Sequence, residues 1–299
     1  MTTETTIIPT RDGRALCVQS GGDAEGQPVV VHHGTPGSRY LPDEWLADAA
    51  ADGVRLLSYD RPGYGNSTPH PGRTVADCTS DVRAIADQFG YDRVAVWGWS
   101  GGGPHSLACA ALLPDLVCAV ASLGAIAPYG PTDLDYFGGM GQENIDDIKL
   151  QLWDPRAARR KLILDRDGVL SMTEDQVVGY AADQEQGFAS LVSPEDAAAM
   201  AAGLGTWWLR SMQLGLEAGD AGWWEDGVAH FGDWGFALDG IDVPVQLWHG
   251  RHDKFVPCQH GEWLARNIPG VDAHLTDDDG HMTLFFKLRG IHAWLLSQF

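Results

Sequence analysis

The chain has 299 residues, 44 % of them hydrophobic, and a formal charge of −21 from 41 acidic against 20 basic side chains. That length and apolar content suit one large domain or a core with an inserted subdomain, and exclude disordered, collagen-like and disulfide-scaffold classes. The anionic balance argues against nucleic acid and anionic membranes as partners, and no apolar run is long enough to span a bilayer.

The opening stretch MTTETTIIPTRDGR lacks a basic segment followed by an apolar one, so no signal peptide is expected. Buried strands are predicted over 15–20 (ALCVQS), 28–33 (PVVVHH), 54–59 (VRLLSY), 93–98 (RVAVWG) and 117–124 (VCAVASLG). Helical patterns fall between them at 74–90 and 101–115. Continuous apolar strands alternating with helices indicate an α/β fold with a mainly parallel, doubly wound sheet. The pattern breaks after 126 and returns at 240, with strands predicted at 243–250 and 271–275. Between these limits helix starts appear instead: Thr173 with Gln176 has capping-box spacing, and Pro194 follows Ser193 at a first helical position. The expected organisation is therefore a core of residues 1–126 and 240–299 interrupted by a helical insertion over 127–239. The insertion holds six of the twelve tryptophans: Trp153, Trp207, Trp208, Trp223, Trp224 and Trp234. They either fill its own core or line a pocket. The five cysteines (Cys17, Cys78, Cys109, Cys118, Cys258) are odd in number and lack C-x-x-C spacing. They read as reduced thiols, which implies a cytoplasmic protein without a zinc site.

Gly98-Trp99-Ser100-Gly101-Gly102 matches G-x-S-x-G, with an apolar strand before it and a helix after it. A serine hydroxyl there needs a base, a group to orient that base, and donors for the oxyanion formed on attack. Gly101, following the serine at a helix start, is one candidate donor. Thr35 in HGTPG is the other; Gly34 permits close backbone approach, and Pro36 favours an extended Thr35. Asp253, in the loop beyond a late strand, is the leading acid, with Asp133, Asp135 and Asp242 as weaker alternatives. Eleven histidines compete for the base. His281 completes the order Ser, Asp, His. His105 lies one helical turn beyond Ser100, His33 is assigned to shaping the oxyanion loop, and His249 and His252 flank the acid.

HGTPG (33–37), YDRPGYGNS (59–67), GWSGGG (98–103), GRHDKFVP (250–257) and DGHM (279–282) together resemble the α/β-hydrolase superfamily. The likeness is to its group with an HG-x-P oxyanion loop and an inserted helical cap. It implies Ser100 as nucleophile, His281 as base, Asp253 as acid, and Thr35 and Gly101 as oxyanion donors, with no cofactor and no metal. DRPGYG is assigned to structure rather than chemistry. The related epoxide hydrolases and haloalkane dehalogenases are expected to carry aspartate at the elbow, and HGTPG departs from the HGGPG loop of proline-iminopeptidase-like members. The expected activity is hydrolysis of a carboxylic ester, thioester or lactone. Aminopeptidase, perhydrolase, C–C hydrolase and lyase chemistry use the same triad, and a slow-turnover ligand sensor is a reading of another class. The expected substrate is a neutral, fairly apolar small molecule, unless Arg159, Arg160 or Arg210 supplies a cationic anchor.

Overall fold

The computed structural model describes residues 3–183 and 190–299. Residues 1–2 of the opening stretch and 184–189 of the insertion lie outside the described residues. Eight strands form one sheet: β1 (Glu4–Pro9), β2 (Ala15–Gly22), β3 (Gln27–His32), β4 (Val54–Tyr59), β5 (Val94–Trp99), β6 (Val117–Leu123), β7 (Val245–Gly250) and β8 (Asp272–Thr276). Their order across the sheet is β1-β2-β4-β3-β5-β6-β7-β8. The pairs β1–β2 and β2–β4 are antiparallel and the other five are parallel.

Helices α1 (Asp43–Ala51), α2 (Cys78–Phe89) and α3 (Gly102–Leu112) connect the first strands. Between β6 and β7 no strand occurs among the described residues. That stretch holds α4 (Gln142–Trp153), α5 (Pro155–Ser171), α6 (Glu174–Ala182), α7 (Pro194–Ala199), α8 (Gly205–Leu216) and α9 (Ala221–Phe231). Helices α10 (Cys258–Asn267) and α11 (Leu288–Leu296) follow. The Thr173–Gln176 capping box forms, and Ser193 caps α7 with Pro194 at its first position.

The parallel strands β3 to β7 are mostly apolar because both their faces are buried. Val30, Val96 and Val120 pack beneath α2 and α3 on one face. Val29, Val31, Ala95, Trp97, Ala119 and Ala121 pack against α1 and α11 on the other, joined there by Val177, Met200, Leu209 and Met212 of the insertion. Strand β3 leads to β4 on one side, while β5 lies on its other side, so the strand order reverses between β3 and β5. At such a switch point the loops leaving the strands diverge and open a crevice. The HGTPG loop follows β3 and the serine turn follows β5.

Candidate active site

Ser100 has φ +56, the only non-glycine residue with positive φ among the described residues. A left-handed backbone costs an L-residue on the order of 1–2 kcal/mol, and the fold holds it there by a Ser100 N–H bond of 2.8 Å to the Leu123 carbonyl. The turn is tight enough that a Cβ on Gly98 would overlap the Gly102 carbonyl. Beside it, Gly34 comes so close that an added Cβ would stand 3.5 Å from the Ser100 Cβ. Among the described residues, neither the Thr35 nor the Gly101 amide N–H has a protein acceptor. The Thr35–Pro36 peptide bond is cis, where the sequence suggested only an extended Thr35.

Asp253 follows β7 and His281 follows β8, and His281 Nδ1 lies 2.6 Å from Asp253 Oδ2. Both side chains are buried. The second Asp253 oxygen accepts the Val256 N–H at 2.8 Å. The His281 ring contacts Trp99, the residue before Ser100, and Phe255, with centroids 4.9 and 5.0 Å away. Trp99 Nε1 also donates to the His281 carbonyl at 3.1 Å.

Among the other candidates, His249 approaches the pair, its Nε2 3.6 Å from Asp253 Oδ2. Asp133 accepts from Trp263, Asp135 caps a turn at Gly138, and Asp242 is exposed. His249 Nε2 donates to the Val256 carbonyl at 2.7 Å, and His252 pairs with Glu195. His33 Nε2 accepts the Arg61 amide N–H at 3.1 Å, which ties the HGTPG loop to DRPGYG. His105 Nδ1 lies 2.8 Å from the Gly101 carbonyl, and burial holds its ring well below the usual histidine range.

Several residues of the site carried no functional mark in the sequence. Asp226 on α9 is fully buried and accepts from Thr35 Oγ1 (2.6 Å), Tyr64 Oη (2.9 Å), Arg61 Nε (3.2 Å) and Arg73 Nη2. Burial alone would raise its carboxyl, but Arg61 and Arg73 outweigh burial and hold it well below the usual carboxylate range. Asp196 on α7 accepts the backbone N–H groups of His281, Met282 and Thr283 at 2.8, 2.7 and 3.2 Å. The visible signals were slight: an Asp and a His four apart in EDGVAH, and an acid in the first turn after Ser193-Pro194.

An aromatic cleft of about 10 Å³ adjoins this group, room for about one water. Gly34, Pro36, Trp99, Trp207, Trp208 and Phe285 are among its walls. Two of the six insertion tryptophans thus face it. Trp234 is buried in the core, and Trp153 is 70 % exposed. None of Arg159, Arg160 or Arg210 lines it: Arg159 pairs with Asp220, Arg160 is exposed, and Arg210 stacks on Tyr40.

Among the described residues, two clusters have metal-ligand types within 4.8 Å. In His105, Asp226 and His230 the carboxylate is already neutralised by two guanidinium groups, which repel a cation. In His32, Cys78 and Cys109 burial pushes the Cys78 thiol well above its usual range, and Cys109 Sγ lies 3.6 Å from His32 Nε2.

Residues 27–288 match the family described as alpha/beta hydrolase fold. A bifunctional esterase/perhydrolase of Acinetobacter calcoaceticus is 26 % identical over 259 residues, 84 % of this chain and 83 % of the relative. A non-heme chloroperoxidase of Streptomyces lividans is 26 % identical over 254 residues, with the same coverage. An alpha/beta hydrolase fold protein from Nakamurella multipartita superposes with a TM-score of 0.66 at 25 % identity, covering 99 % of both chains.

Proposed function

The chain belongs to the alpha/beta hydrolase fold family, and from that premise we propose that it is a cofactor-independent serine hydrolase cleaving a carboxylic ester, thioester or lactone. Ser100 Oγ attacks the acyl carbonyl carbon while His281 Nε2 takes the hydroxyl proton. The oxyanion accepts N–H bonds from Thr35 and Gly101. As the tetrahedral intermediate collapses, His281 returns the proton to the leaving oxygen or sulfur. Water then attacks the acyl-enzyme by the same route and releases the carboxylic acid and Ser100.

The observation that carries this reading is the 2.6 Å bond between His281 Nδ1 and Asp253. It fixes the tautomer that leaves Nε2 as acceptor, on a ring packed against the neighbour of Ser100. The insertion acts as a cap, and Trp207, Trp208 and Phe285 favour a neutral, apolar acyl group. The test is turnover of p-nitrophenyl acetate together with fluorophosphonate labelling. Ser100 takes the label, and Ser100→Ala stays folded but loses label and turnover. Labelling of another serine, or full turnover by the variant, overturns the assignment.

The name of the esterase/perhydrolase relative favours a second reading, in which hydrogen peroxide replaces water as the acyl acceptor and a peracid is released. Peracid formed from acetate and peroxide by wild type but not by Ser100→Ala distinguishes it.

A further inference from the structure

Helix α9 reads AGWWEDGVAHF, and a spacing of four sets Asp226 and His230 one turn apart on one face. Both side chains are buried. Asp226 takes the Thr35 hydroxyl at 2.6 Å and the Arg61 guanidinium. Arg61 in turn donates to the carbonyls of His33 and Gly34 and to Thr35 Oγ1 at 2.9 Å. The loop carrying the Thr35 amide therefore hangs from α9 at several points.

One turn further on, His230 Nε2 lies 2.9 Å from the Gly101 carbonyl oxygen. A carbonyl can only accept, so Nε2 carries the hydrogen. Burial pushes the ring down to about 4, which keeps it neutral at physiological pH. A Cβ on Gly101 would stand 2.8 Å from His230 Cε1 and overlap Thr35 Oγ1. Thr35, Gly101 and His230 are packed without slack.

We propose that Asp226 and His230 are positioning residues for the oxyanion hole, one face of α9 setting the separation of the Thr35 and Gly101 amides. The inference rests on the acyl-enzyme reading above. Two donors stabilise an oxyanion only when both lie about 2.7–3.1 Å from it, and a shift of about 1 Å can cost about 100-fold in rate. A ground-state ester held by its apolar surface is indifferent to that separation. The cost of disturbing α9 therefore falls on kcat and leaves KM alone.

The test compares His230→Leu with His230→Gln, whose amide N–H replaces the imidazole Nε2–H. Each is assayed on p-nitrophenyl acetate and titrated with a trifluoromethyl ketone, which forms an oxyanion on the nucleophile. His230→Leu is expected to fold, to lose about 10- to 100-fold in kcat with KM within about twofold, and to bind the ketone weaker by a similar factor. His230→Gln recovers most of both. Thr35→Val runs the same test from the other end, since it removes the hydroxyl held by Asp226 and keeps the amide; the same loss is expected, and Thr35→Ser restores it. Wild-type kcat and ketone affinity in His230→Leu and Thr35→Val, or equal losses in His230→Leu and His230→Gln, overturn the proposal. A wild type with neither turnover nor Ser100 labelling defeats the acyl-enzyme reading and this one with it. Normal wild-type behaviour with unaffected variants defeats the positioning alone.

Discussion

Asp196 gathers three consecutive amides, those of His281, Met282 and Thr283, on one buried carboxylate. Burial raises its carboxyl, and the N–H groups it accepts pull the other way. Asp196→Ala leaves three donors without their acceptor, a cost of about 1–3 kcal/mol for each one that finds no water. It also frees the backbone of the candidate base. The expected outcome is a lower urea midpoint and a kcat reduced about tenfold or more at unchanged KM. A wild-type kcat would show that the His281 loop holds its shape unaided. The Ser100 turn and the Asp253–His281 pair were legible as candidates because their residue types, strand-end positions and order are constrained together. Asp196 was not, because a carboxylate that accepts backbone amides leaves no mark on the residues it binds. Arg61 was visible only as part of a recurrent loop, and its fully buried reach to His33 and Gly34 depends on long-range packing.

Among the elements, the five central strands β3 to β7 matched their predicted spans within about two residues, since both faces of each exclude water. Strand β1 was missed: it is an edge strand, and Ile8 is its one buried residue. The insertion's helix starts were readable from Thr173 and Ser193, but α4 buries none of its residues fully, so its apolar periodicity is weak. Helix α11 carries a different kind of information. His292 is 2 % exposed, with no partner for either ring nitrogen among the described residues, and burial pushes it down to about 4 against the opposing effect of Asp52. The unfolded chain takes up that proton near pH 6.5, while the folded chain does not until about pH 4. Its contribution to stability is thus complete above pH 6.5 and is lost as pH falls toward 4, by about 1.4 kcal/mol per pH unit. His32 (about 3), His230 and His260 (about 4 each) share this sign. His292→Leu is expected to keep or raise the urea midpoint at pH 7 and to flatten its decline between pH 6.5 and 4.5. An equally steep decline would mean that His292 is not neutral in the folded chain.

Across the whole molecule the charge of −21 opposes compaction. Raising ionic strength from about 0.01 M to about 0.15 M shortens the screening length from about 30 to about 8 Å. At pH 7 the melting temperature is expected to rise by about 2 °C or more over that range, and a flat or falling Tm would count against net repulsion. The same field bears on catalysis. A neutral ester is expected to exceed a matched carboxylate-bearing ester in kcat/KM, with the gap narrowing in salt. An anionic ester preferred at both ionic strengths would require a cationic anchor that the cleft walls do not supply. The bonds from Asp196, Asp226 and His230 into the core also bear on how such a chain can change over time. An insertion that only covered a site could be exchanged between relatives like a removable part. This one holds the loop that begins at His281 and, through Thr35 and Gly101, the HGTPG loop and the serine turn. Exchanging α7 or α9 alone would thus strip buried polar groups of the core of their partners, whereas α4 buries no residue fully.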